Sequence, residues 1–134
     1  MNTLLLPMFS HVSLCALLYA LLTITRAPSV WGVGAKASGP HPFDTIQPKI
    51  SANLSNQFEW PLFFYVICVL LLITGTQGTA WYGVLAWVFV VGRIVHSAVH
   101  IFTANVRLRG VVFTINFIAV IAMWIMFVVD MLAV

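Results

Sequence analysis

The sequence predicts an all-α integral membrane protein, a bundle of four transmembrane helices in a single domain over residues 1–134. Of its residues, 62% are hydrophobic and only 7% carry a formal charge, whereas soluble domains average about 25% charged residues. The mean hydropathy of +1.06 agrees with this. A chain so poor in charge is solvated by lipid. We expect a multi-pass protein of the lipid bilayer, in the inner membrane if the source is bacterial.

Four apolar segments define the predicted helices, because each is close to the ~20 residues needed to cross ~30 Å of hydrocarbon. We place them at about residues 4–24, 48–74, 80–102 and 109–134. The first segment lacks the basic start and the cleavage site of a signal peptide, so we interpret it as a retained helix.

The second span contains two prolines with different expected roles. Ile50, Leu54 and Phe58 recur every four residues, which extends the helical pattern back to Pro48. Proline suits the first turn of a helix. Pro61 then lies inside the span, where it predicts a kink.

One long connection, residues 25–47, is rich in Gly, Pro and Ser and predicts irregular structure. Basic residues border this connection and occur again in the third one, whereas the middle connection and both termini have none. They are Arg26, Lys36, Lys49, Arg107 and Arg109. Basic connections face the cytoplasm, so both termini are expected on the non-cytoplasmic side.

The net charge of +3 is small and scattered, which argues against a nucleic-acid partner.

Ionisable side chains inside the spans mark the candidate site, because such groups are costly in lipid and are usually functional. Arg93, His96 and His100 follow one another at spacings of three and four, which places them on one face of the third helix. Glu59, near the cytoplasmic start of the second span, is the expected counter-ion of Arg93. The arginines that open the fourth helix enter from the same side.

Other interpretations of these residues remain open. One is that Arg93 and Glu59 serve only to hold two helices together. Asn56 and Glu59 also have the spacing of a helix capping box. His96 and His100 match a metal-ligand pair, but two ligands on one helix are a weak signal, and no metal site is predicted.

Two short motifs carry a resemblance to a known family. "NQFEWP" stands at the start of the second span and "GRIVH" on the third, and a basic residue opens the fourth. In their order and placement these motifs resemble the MAPEG family (membrane-associated proteins in eicosanoid and glutathione metabolism). The resemblance runs from about Lys49 to the C-terminus.

The resemblance implies a homotrimer that holds glutathione, as a co-substrate, between neighbouring protomers on the cytoplasmic side. It implies glutathione transferase or peroxidase activity, with a hydrophobic electrophile as second substrate. The implied ligand-binding residues are Asn56, Glu59, Arg93, His96 and His100. Arg109, or else Arg107, is the implied catalytic residue, because a thiol with a pKa of ~8.5 becomes a ready nucleophile beside a fixed cation.

The chain also departs from the family pattern. Ala52 and Ser55 stand where relatives often carry arginines, His100 and Phe113 replace tyrosines, and Gly110 replaces a serine. A tripeptide with two carboxylates needs cationic partners, and this chain offers fewer. The alternatives are a small oligomeric membrane transporter that uses Glu59, a haem-binding electron carrier, and a non-catalytic membrane interaction protein.

Overall fold

The computed structural model describes residues 3–32, 43–76 and 80–133. Across these residues the regular structure is helical. The five helices are α1 (Leu5–Trp31), α2 (Gln47–Asn56), α3 (Pro61–Thr74), α4 (Ala80–Phe102) and α5 (Val106–Leu132).

Within the described part of the chain, four segments are long and apolar enough to cross a membrane. They are α1 with 27 residues, α2 and α3 together with 28, α4 with 23 and α5 with 27. At 1.5 Å per residue, each exceeds ~30 Å of hydrocarbon. For the described residues, the prediction of an all-α protein with four helical segments long and apolar enough to span a membrane is confirmed.

The first helix continues beyond its predicted end at residue 24, to Trp31, with Pro28 inside it. The prediction of irregular structure is therefore wrong for residues 25–31. A proline this close to a helix end removes one hydrogen bond and leaves the last turn intact. Gly32 then ends the helix in the left-handed conformation (φ 67°), and its N–H donates to the Pro28 carbonyl. Residues 33–42 of the predicted connection, including Lys36, lie outside the described residues.

The second span begins at Gln47, with Pro48 in its first turn. It is interrupted at residues 57–60 and resumes at Pro61. The expected kink is thus a full break, because Pro61 has no N–H to donate to the preceding turn and its ring displaces that carbonyl. The N–H groups of Gln57 and Phe58 bond three residues back, which tightens the end of α2.

The last connection covers only residues 103–105, and α5 begins at Val106. The Asn105 side chain caps this helix by accepting a hydrogen bond from the Leu108 N–H at 3.0 Å. Arg107 and Arg109 therefore both lie in the first turn and a half of α5.

Two apolar clusters form the core, and buried polar residues separate them along α4. One cluster joins α3, α4 and α5, and its Phe64 and Phe89 rings stack 4.2 Å apart. The other joins α1, α2 and the end of α4 at Ile101. Between Val90 and Ile101, α4 buries Arg93, His96 and Ser97 instead.

Candidate functional site

Arg93 is fully buried, and its partners come from the break in the second span. Its Nε donates to Gln57 Oε1 at 3.0 Å, and one terminal nitrogen donates to the Asn56 carbonyl at 2.7 Å. That carbonyl is free because the helix stops at Asn56. An arginine of the next span thus supplies a donor to the carbonyl that the break leaves free.

The predicted ion pair between Glu59 and Arg93 is wrong. Glu59 lies within the break and is exposed. No carboxylate lies within ion-pair distance of Arg93 in the part of the chain that the structure describes. The capping box is also not formed, since Trp60 is the N-cap residue of α3 and makes no side-chain cap bond. The break turns Glu59 outward and leaves the inner position to the Gln57 amide.

Gln57 is the centre of this network and is almost fully buried. Its Nε2 donates to Ser97 Oγ and to Asn53 Oδ1, both at 3.1 Å. Sequence reasoning missed Gln57 because an amide carries no charge. Its place inside the motif "NQFEWP" is the one signal that pointed to it.

The same amide oxygen extends the network to the first span. His11 Nε2 lies 3.1 Å from Gln57 Oε1, an atom that only accepts, so Nε2 carries a hydrogen. In the neutral ring this leaves Nδ1 as the acceptor for the Tyr65 hydroxyl, 2.9 Å away. His11, Gln57 and Arg93 therefore tie three spans together.

A cleft of about 460 Å³ opens between α2, α4 and α5 on the other side of Asn56. Of the predicted site residues, the structure brings together Asn56, His96, His100 and Arg109 on its walls. Arg93 and Glu59 do not line it. Arg93 contacts the wall of the cleft only indirectly, through its hydrogen bond to the carbonyl of Asn56.

The two histidines in the cleft have unused ring nitrogens. His96 is 3% exposed, and within the described residues neither of its nitrogens has a hydrogen-bond partner. The same holds for Nδ1 of His100, whose ring centroid lies 5.8 Å from that of His96. A buried polar group without a partner costs about 1–3 kcal/mol, so these rings favour a polar ligand. Within residues 3–32, 43–76 and 80–133, no third His, Cys, Asp or Glu joins them as a metal-ligand set.

The structure separates the two arginines at the start of α5. Arg109 is half-buried and lines the cleft, whereas Arg107 is exposed and does not. Arg109 is the only Lys or Arg among the described residues that line this cleft. A bound anion, or a negative charge that develops during a reaction in the cleft, would therefore be stabilised by one guanidinium, that of Arg109.

Positions that depart from the family pattern also border the cleft. Ala52, Gly110 and Phe113 line it beside His100. Ser55 is exposed, and its hydroxyl donates to the Ser51 carbonyl of its own helix. The cleft is therefore less polar than the resemblance alone would imply.

Comparison with known proteins assigns the chain to a family. The MAPEG family model matches residues 4–129, which is nearly the whole chain. Comparison with curated proteins and with solved structures gives no significant match. The extent of the family match, together with four apolar membrane-spanning segments, identifies the chain as a member of the MAPEG family.

Proposed function

We propose that the cleft between α2, α4 and α5 binds glutathione and supports a glutathione transferase-like reaction on a hydrophobic electrophile. The observation that carries this proposal is the convergence of Asn56, His96, His100 and Arg109 on one cleft. Asn56 comes from α2, the two histidines from α4 and Arg109 from α5, and the family membership makes glutathione the first ligand to test.

The residues of the cleft fit part of this ligand. The volume of about 460 Å³ falls in the ~300–1,000 Å³ range of small-molecule sites. The free nitrogens of His96 and His100 offer donors and acceptors for peptide groups. Arg109 offers the cation that would stabilise either a carboxylate or the thiolate.

The fit is incomplete within one chain, because glutathione has two carboxylates and the cleft presents one guanidinium. We propose that a second protomer closes the open side of the cleft, in a homotrimer. The basic first and third connections favour a cytoplasmic site with both termini on the opposite side.

Thermal unfolding of the detergent-solubilised protein tests the binding, since a ligand of the native state raises its stability. Glutathione is expected to raise the Tm of the parent chain and of Arg107→Ala, the matched control outside the cleft. His96→Ala and Arg109→Ala should reduce this rise. An unchanged Tm at millimolar glutathione would refute the binding site.

Turnover is tested separately, with glutathione and an electrophilic aryl halide. Conjugation that depends on Arg109 is expected. Glutathione binding without conjugation would instead identify a non-catalytic member of the family, which is the alternative that keeps the cleft and gives up the reaction.

A further inference from the structure

A second, smaller cleft of about 190 Å³ lies where α4 ends and α5 begins. Lys49 of α2 and Arg109 of α5 both line it, so two cationic side chains from different spans face one small space. It borders the candidate glutathione cleft and shares His100, Val106 and Arg109 with it.

Neither cation is neutralised by the protein. In the described ranges the side chains of Lys49 and Arg109 form no ion pair or hydrogen bond, and none of the residues lining this cleft is Asp or Glu. The polar residues Thr103 and Asn105 are already engaged, Thr103 with the Val99 carbonyl at 2.7 Å and Asn105 in capping α5. Lys49 is exposed and Arg109 is half-buried, so this unbalanced positive charge favours an anion from outside.

Two further features of the same cleft favour an anion. It sits at the N-terminus of the 27-residue α5, where the free N–H groups and the helix dipole attract negative charge. His100, which lines both clefts, has a buried Nδ1 without a partner among the described residues.

The surroundings of this cleft are apolar and outward-facing. Phe102 is 74% exposed and Val106 is 65% exposed, one at the end of α4 and one at the start of α5. The cleft therefore has an apolar rim at the end of two segments long and apolar enough to span a membrane. Such a rim suits a ligand that carries acyl chains.

We propose that this cleft, formed by Lys49, Arg109 and the N-terminus of α5, binds a phosphate group, supplied by the headgroup of an anionic membrane lipid. The apolar rim takes the acyl chains and the two cations take the phosphate oxygens. The two clefts share Arg109 and His100, but Lys49 lines only the smaller one, so a change at Lys49 tests the phosphate site separately from the glutathione site.

The experiment measures the Tm of the full chain in mild detergent with three probes: dioctanoyl phosphatidylglycerol, dioctanoylglycerol, which lacks the phosphate, and inorganic phosphate. The phosphatidylglycerol is expected to give a concentration-dependent rise in Tm, and dioctanoylglycerol none. Lys49→Ala should remove the rise. Arg107→Ala, which deletes an exposed charge at the same end of α5, should keep it.

Each other outcome has a definite meaning. An equal loss in Arg107→Ala, or an equal rise with dioctanoylglycerol, would overturn the site in favour of diffuse charge or plain hydrophobic binding. A rise with inorganic phosphate alone that still requires Lys49 would keep the phosphate site and overturn the lipid source. Loss of the glutathione response in Lys49→Ala would overturn the proposal by assigning the cleft to a glutathione carboxylate. A failure of glutathione binding in the parent chain, with the lipid response intact, would refute only the proposed function.

Discussion

The Nε of Arg93 donates to the Gln57 side chain across 3.0 Å, and so joins the third span to the interruption in the second. A buried guanidinium in a membrane protein thus has a neutral amide and a backbone carbonyl as its partners. The positive charge is stabilised by the dipoles of the Gln57 amide and the Asn56 carbonyl, both of which lie at the break. This arrangement makes Arg93 a positioning residue for Asn56, and through it for one wall of the candidate site.

The Arg93–Gln57 contact predicts strong coupling between the two positions. Gln57→Leu should lower the free energy of unfolding by ~3–5 kcal/mol, because it leaves a buried charge without a partner. Arg93→Met should lower it by ~1–3 kcal/mol, because it leaves the neutral Gln57 amide and Asn56 carbonyl without their donor. The double variant should recover part of the sum, because no charge is then left buried. A double-mutant cycle on melting in detergent measures the coupling.

Glu59 provides the control for this cycle. Because the Glu59 side chain is exposed and forms no ion pair with Arg93, Glu59→Gln should change Tm little. Its coupling to Arg93→Met should be much smaller than the coupling between Gln57 and Arg93. A coupling between Glu59 and Arg93 as large as that with Gln57 would contradict the geometry of the break.

Gly92 and Asn116 predict a steric conflict between α4 and α5. A Cβ added to Gly92 would fall on the Asn116 amide, which is fully buried. Gly92→Ala should therefore destabilise the protein by ~1–3 kcal/mol, and adding Asn116→Ala should restore much of that loss. Thermal melting of the single and double variants tests this.

Gly110 is the matched control for that prediction, because nothing in the described chain lies within 4 Å of the position that a Cβ would take there. Gly110→Ala should leave stability unchanged or raise it by up to ~1 kcal/mol, the difference in helix propensity. Equal losses at both glycines would mean that the close approach of α4 and α5 does not decide the result.

Loss of the hydrogen bond between Tyr65 and His11 of the first span should have a smaller effect on stability. Tyr65→Phe removes the hydroxyl that lies 2.9 Å from His11 Nδ1 and should reduce stability by ~0.5–1.5 kcal/mol. Tyr19→Phe, at an exposed tyrosine of the same helix as His11, should have no effect. Nitrogen-15 spectra of the imidazole should show the hydrogen on Nε2 in the parent chain, and a hydrogen found only on Nδ1 would contradict the network.

The charge pattern predicts the orientation of the chain. The variant Ala104→Cys, in the third connection, should react with a membrane-impermeant maleimide only from the cytoplasmic side, and Thr76→Cys only from the other side. Cys15 and Cys68 lie within the spans, so the parent chain is the control. Labelling of both positions from one side would refute the proposed orientation.

Sequence reasoning went furthest where length and spacing alone decide the structure. Apolar segments of sufficient length predicted four spans, and spacings of three and four placed His96 and His100 on one face of α4. The position of Glu59 was predicted wrongly, because the break changes the directions of the side chains after it relative to those before it. The pairing of Arg93 with Gln57 was equally out of reach, since a search for ion pairs passes over an amide.

The interruption at residues 57–60 has a consequence for the biosynthesis of the protein. A nascent chain that has delivered its second span to the bilayer carries an unsatisfied Asn56 carbonyl and a Gln57 amide that still lacks its guanidinium partner. Arg93 arrives only with the following span, and brings a charge that is itself poorly tolerated alone in lipid. The second span supplies the acceptors that Arg93 lacks, and the third span supplies the donor that the break lacks. The two spans therefore enter the hydrocarbon most favourably as a pair. The ribosome adds Arg93 only 36 residues after Gln57.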